Sequence, residues 1–434
     1  MNILLVNPPN AGRSIPEEEY GITSIKQLFR GEPFSLEAVA GPLAGHDVRI
    51  ADLKCEQEQY LWDEYAGFAP DVVGFTAVTC EANTVLRLAA GLKRRGRTAV
   101  VVGGTHATLD PAFFNRPEVD YVVVGLGKRS FSELVDRLGR DLPGDGIPGV
   151  SRTSPGKPLS LLPRRYCRED LMDEHPPRYD LVARWRDRYV IERLGLRMGF
   201  VATAEGCTHR CSFCAIPGMT GGRYLTHSPE SVIRAIGLLG DIPFIRMTDA
   251  NSFGDPAASE ELCDAIAAAG IKKRFFGDIR ADTIAANPGL LKKWKQAGLH
   301  AVVVGFEELE PGRLGAYDKR YAGGVAEQAL SVLHETGLMI VGDFIVAPDY
   351  GEEEFRALEE FIGRSGIQVP VLSILTPVPG TPLYETMREQ ITVRDLDYYT
   401  FLNAVVPTRM PEKEFYGAFA ELLKRLHDKL QRTA

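Results

Sequence analysis

The stretch Cys207-Thr208-His209-Arg210-Cys211-Ser212-Phe213-Cys214, set directly behind the apolar run 198–204, constrains this chain more than any other feature. Soft sulfur ligands suit iron–sulfur clusters, and these thiolates can hold three irons of a 4Fe-4S cluster while leaving the fourth iron open. An open iron is a reaction site. A structural zinc ion needs a fourth nearby ligand. His209 stands inside the loop but is crowded within a three-residue gap, and no second cysteine pair follows at finger spacing. The other cysteines, Cys55, Cys80, Cys167 and Cys263, are scattered and read as buried or incidental thiols.

At 434 residues the chain is too long for one ordinary core, so two domains and connecting segments are expected. A net charge of -8 argues against a sequence-independent grip on nucleic-acid phosphates. The opening Met-Asn-Ile-Leu-Leu-Val-Asn-Pro-Pro has a short apolar stretch and no basic flank, so it reads as a first strand rather than a signal peptide. No run approaches the roughly 18 apolar residues of a membrane span. Seven cysteines in so long a chain, beside an oxygen-sensitive cluster, point to a reducing cytoplasm.

Residues 1–140 alternate short β-branched runs with helical stretches, the pattern of a doubly wound, Rossmann-like parallel sheet. Strands are expected at 2–7, 47–52, 71–76, 98–103 and 121–124, with helices at 35–44, 57–66, 82–95 and 131–138. Ligands bind such sheets at the carboxyl ends of the strands. The loops there read Asn7-Pro8-Pro9-Asn10, Thr76-Ala77-Val78-Thr79, Gly103-Gly104-Thr105-His106 and Gly125-Leu126-Gly127-Lys128. Paired glycines let backbone approach a ligand closely.

The string Val101-Val102-Gly103-Gly104-Thr105-His106-Ala107-Thr108, followed by Pro111, Val119-Asp120-Tyr121 and Gly125-Leu126-Gly127, resembles the cobalamin-binding domain of the cobalamin-dependent radical SAM family. The resemblance implies contacts to the cobalamin tail from Gly103, Gly104, His106, Gly125 and Gly127, and a lower corrin face over Thr76 to Thr79. No Asp-x-His-x-x-Gly motif occurs, so base-off cobalamin without a histidine beneath is implied. Leu126 and Lys128 depart from the family's glutamates.

Residues 141–197 are rich in proline and arginine and read as a packed connection anchored by Tyr179, Leu181, Trp185 and Tyr189. From residue 198 to 385 strand and helix alternate again. Strands expected at 199–204, 244–248, 274–279, 301–306, 339–346 and 371–375 make a partial (β/α)6 barrel, whose site lies at the carboxyl ends. This half resembles the radical SAM superfamily. Phe213 matches the aromatic position beside the adenine, Val304-Gly305-Phe306-Glu307 the ribose-binding carboxylate, Arg280 and Asp282 a third-strand pattern, and Pro379-Gly380-Thr381 the turn after strand six. The family's Gly-Gly-Glu after strand two is missing. Thr248, Asp249 and Asn251 stand there and are expected at the SAM amine or carboxylate.

The resemblance implies three cofactors: a 4Fe-4S cluster, S-adenosyl-L-methionine (SAM) and cobalamin. It implies a 5′-deoxyadenosyl radical that takes hydrogen from carbon, and a methyl group delivered from cobalamin; oxidative cyclisation without methyl transfer is the alternative. The substrate is then a small molecule of isoprenoid, tetrapyrrole or natural-product type, and a flavodoxin or ferredoxin supplies electrons. A cobalamin sensor would need neither the cysteine loop nor the barrel. Residues 386–434 end in a helix at 411–430 whose Phe415, Phe419, Leu422, Leu426 and Leu430 share one face. It is expected to cap the barrel, with docking on a membrane surface as the other use of such a face.

Overall fold

A computed structural model describes residues 1–23, 31–191, 196–319 and 324–433. The first sheet has six strands: β1 (Asn2–Asn7), β2 (Asp47–Asp52), β3 (Val72–Thr76), β4 (Ala99–Gly103), β5 (Tyr121–Val123) and β6 (Val150–Arg152), ordered β2-β1-β3-β4-β5-β6. The first five run parallel and β6 closes the edge antiparallel. Leu4, Val73, Val100 and Val102 face one core, and Ile3, Leu5, Val72 and Val101 face another. Burial on both faces is why these strands read as unbroken apolar runs rather than alternating ones.

The connection contributes to both sheets. Besides β6 it supplies β7 (Val190–Ile191), antiparallel to β8 (Leu196–Val201). The intervening turns Tyr179–Arg188 bury Tyr179, Val182 and Trp185, while Leu181 packs at the margin. Tyr189 donates to Asp52 at 3.0 Å and Tyr179 to the Phe200 carbonyl at 2.7 Å, so one short segment holds the end of β2 and the middle of β8.

After β8 come a hairpin, β9 (Ala204–Gly206) and β10 (Tyr224–Thr226), then β11 (Phe244–Met247), β12 (Arg274–Asp278), β13 (Leu299–Glu307), β14 (Met339–Val346) and β15 (Val369–Ile374). The order β15-β14-β13-β12-β11-β8 is parallel throughout, a curled half-barrel with helices outside. Val302, Val304, Phe306, Ile340, Phe344 and Val346 point outward into the helix-covered core. The alternate residues, among them Arg246, Asp278 and Asp343, line the lumen.

The C-terminal helix Glu412–Thr433 does not cap the barrel mouth. Its rings and leucines pack on the helix Glu352–Ser365 and on β15. Phe415 meets Phe355 at 5.6 Å, and Phe415, Phe419, Leu422 and Leu426 are all at most 4% exposed. That part of the face packs inside the molecule; the Leu430 side chain lies outside the described ones. Among the described residues no helix is long and apolar enough to cross a membrane. Phe415→Ala, which empties the contact between this helix and the barrel, is expected to cost about 3 kcal/mol. A lowered urea midpoint for unfolding would measure it.

Candidate functional site

The cysteine loop hangs from the hairpin of β9 and β10, whose register places Gly206 opposite Tyr224. Gly206 has φ +83, and a Cβ there would lie 2.1 Å from the Arg223 carbonyl oxygen and 2.4 Å from Thr220 Oγ1. Only glycine lets the chain turn into the loop at that point. The loop is then stitched down by backbone. Ser212 N–H donates to Tyr317 O at 2.9 Å, Leu383 N–H to Ser212 O at 2.9 Å and Cys214 N–H to Cys211 O at 3.0 Å.

Cys207 and Cys214 are partly exposed and Cys211 is buried. Burial raises the Cys211 thiol and pushes Cys214 up to about 11, so a bound metal must supply what deprotonates them. Three soft donors on one anchored loop fit a multinuclear cluster with one iron left open.

Around this loop the barrel mouth supplies the rest. Phe213 meets Tyr317 edge-on at 5.8 Å and joins Ile345, Leu375 and Leu383 in an apolar patch. Glu307 has φ +61, an uncommon conformation for a residue with a side chain, and its carboxylate takes a 2.5 Å bond from Lys319. Arg280, 9% exposed, grips Asp282 through two bonds of 3.0 and 2.9 Å. Lys319 was invisible in the sequence because it lies twelve residues past Glu307 on an irregular segment, with no motif around it.

Asp249 is bonded within the chain. Its carboxylate is 3% exposed and accepts from Thr203 N–H at 2.7 Å, Ala204 N–H at 2.9 Å and the Thr203 hydroxyl. Burial raises its pKa against these bonds. It fixes the start of the hairpin. Asn251 is likewise buried, 1% exposed, whereas Thr248 reaches a cavity.

That cavity, about 510 Å³, lies where the two sheets meet. Asn7, Thr76, Val78 and Glu81 wall it from the carboxyl ends of β1 and β3; Phe200 and Thr248 wall it from β8 and the end of β11. Val78 is 44% exposed, while its neighbour Thr79 is buried. Lys54, missed in the sequence, pairs with Glu81 at 2.8 Å on the same wall.

The glycine loops behave unequally. Gly104, φ +93, packs its backbone against Thr76 and Ala77, where a Cβ would lie 2.7 Å from Thr76 Oγ1, and Gly103 precedes it at the end of β4. Gly127, φ +77, opens the helix Lys128–Leu138. Two of the expected tail contacts lie in crowded surroundings. His106 is fully buried, edge-on to Phe113 and Phe114, with burial lowering its pKa to about 4. It belongs to the core beneath the loop. Gly125 is covered by the Tyr166 phenol, which would sit 1.7 Å from a Cβ and which accepts from Leu126 N–H at 3.0 Å. Nothing around Tyr166 in its proline-rich surroundings announced this.

Asp173 of the connection and Glu205 of β9 flank His227, at 2.5 and 3.9 Å. Burial alone would lower the imidazole, but the bonds and charges of the two carboxylates outweigh it and hold the pKa at about 9. A raised pKa stabilises the fold fully below the ordinary value of 6.5 and loses that contribution as pH rises through about 9. The melting temperature should therefore fall between pH 6.5 and 9.5 more in the parent chain than in His227→Gln.

Two largely parallel sheets thus meet at their carboxyl ends, and one of them carries a three-cysteine loop. Residues 22–135 match the B12 binding domain and residues 201–362 the Radical SAM superfamily. The chain is 30% identical to the hopanoid C-3 methylase of Methylococcus capsulatus over 93% of its length and 78% of that protein. It is 23% identical to the anaerobic magnesium-protoporphyrin IX monomethyl ester cyclase of Synechocystis over 91% of its length and 79% of that protein. Its fold matches the radical S-adenosylmethionine methyltransferase TsrM from Kitasatospora setae, solved with cobalamin and a [4Fe-4S] cluster, with a TM-score of 0.73 at 18% identity, over 98% of this chain and 88% of that one. The chain belongs to the cobalamin-dependent radical SAM enzymes, and its cofactors are a 4Fe-4S cluster, SAM and cobalamin.

Proposed function

We propose that this enzyme transfers a methyl group to an unactivated carbon of a small molecule of isoprenoid or tetrapyrrole type. The observation that carries the reading is the shared cavity, walled by the strand ends of both sheets. A substrate there stands between the strand ends of the two cofactor domains. Reduced cluster and SAM supply a 5′-deoxyadenosyl radical that removes hydrogen from carbon, and cobalamin supplies the methyl group.

The chain's own residues bind, orient and shield. Cys207, Cys211 and Cys214 hold the cluster, Phe213 lies against the adenine with its apolar patch, and Glu307 meets the ribose hydroxyls once Lys319 shares it. Arg280, fixed by Asp282, adds a positive charge beside the loop. Thr76 and Val78 underlie the corrin, while Gly103, Gly104 and Gly127 let backbone approach its tail. Residues 1–140 and 198–385 serve as the two cofactor domains, joined by 141–197 and followed by 386–434. A flavodoxin- or ferredoxin-type protein of the cytoplasm donates the electron. Oxidative cyclisation is the second reading, supported by the cyclase among the relatives.

Product analysis separates the two. Methyl transfer requires S-adenosylhomocysteine and 5′-deoxyadenosine in equal amounts, whereas cyclisation gives only the latter. Chromatography of anaerobic reactions with cell extracts, searched for compounds heavier by one methylene unit, reads both. Cys211→Ala is expected to abolish 5′-deoxyadenosine release while cobalamin, followed by its visible spectrum, stays bound.

A further inference from the structure

We propose that Lys319 sets the reduction potential of the cluster held by Cys207, Cys211 and Cys214, with Glu307 as the counter-charge that tempers it. The inference rests on the ligand assignment made above. The Lys319 ammonium is buried, 5% exposed, and donates to the Gly305 carbonyl at 2.8 Å and to Glu307 at 2.5 Å. Its place is fixed by the cluster loop itself. Two residues earlier, Tyr317 accepts the Ser212 N–H at 2.9 Å and packs its ring on Phe213 at 5.8 Å. Lysine and cysteines thus ride on one stitched body.

Lys319 and Arg280 are the cations beside the loop at Cys211. Arg280 is spent on Asp282, so Lys319 and Glu307 form the adjustable pair. A buried lysine–glutamate pair is weak evidence of a stabilising role, since a packed apolar pair does as well. Beside a loop whose ligands are anions, the ammonium has another use.

Three thiolates leave the bound cluster negative. Its reduction takes one electron from a low-potential donor of the reduced-flavin or iron–sulfur class and adds one further negative charge, with no bond or proton exchanged. A fixed cation in a low-dielectric site favours the more negative form. Removing the cation therefore makes reduction harder, and removing its carboxylate partner makes it easier.

The test is a dithionite titration of the anaerobically reconstituted full chain, without SAM, following the electron paramagnetic resonance signal of the reduced cluster. K319M is expected to shift the reduction equilibrium about tenfold, lowering the midpoint by about 59 mV for a one-electron couple. K319R stays near the parent, and E307Q moves the midpoint upward. A merely structural role would reduce iron and sulfide content without moving the potential of protein that keeps its cluster, and would not give E307Q the opposite sign. If K319M fails to hold iron, E307Q decides alone. A cluster-bearing K319M at the parent potential, or an E307Q midpoint that falls or stays, overturns the proposal. Parent protein binding neither iron nor sulfide would instead overturn the ligand assignment.

Discussion

The site depends on one close backbone contact between the two halves of the molecule. At Gly380, φ +81, a Cβ would lie 2.2 Å from the Leu109 carbonyl oxygen, so the turn after β15 rests directly on the short helix that follows β4. The same turn reaches the cluster loop, because Leu383 N–H donates to Ser212 O at 2.9 Å. The Thr381 hydroxyl holds its shape by accepting the Tyr384 N–H at 3.2 Å. One glycine turn therefore ties the cysteines to the first sheet. With Tyr179 and Tyr189 clamping the other side, the carboxyl ends of both sheets are held open toward a common space.

Holding ionisable groups in that space has electrostatic consequences. Three carboxylates at or just past strand ends have a cation beside them: Glu81 with Lys54, Glu307 with Lys319, Asp278 with Arg246. Asp343, deeper in the lumen, is pushed up to about 8 by burial and then by Glu307 and Asp278. Pairing these carboxylates with cations limits the cost of taking them out of water.

Much of the fold was legible because its strands are buried on both faces. Strands β1 and β2, the helix Ala82–Arg95 and strand β14 fall where apolar runs and turn residues put them, and other boundaries move by one to four residues. The region 141–197 was less legible. Its strands β6 and β7 are only three and two residues long, too short for periodicity to register. The Cys207–Cys214 loop and Glu307 could be located because each sits in a local string of distinctive residues. His106 stood in an equally distinctive string, yet the helix Thr105–Leu109 turns it inward against Phe113 and Phe114. Asp249, expected at the SAM amine or carboxylate, is bonded by Thr203 and Ala204, forty-five and more positions earlier, a pairing that no local string reveals.

The amino-acid sequence by itself determined which metal chemistry the chain can support, how many parallel sheets it builds and which of their ends carry loops. These follow from spacing and apolar patterning within a few residues, where chain connectivity leaves little freedom. Only the tertiary structure decided that the two sheets confront each other across a cavity, that Tyr166 covers Gly125, and that the ammonium of Lys319 is paired with Glu307. Those facts join residues far apart along the chain, and close packing of side chains, which no local pattern encodes, selects among the arrangements that the same strands and helices could adopt.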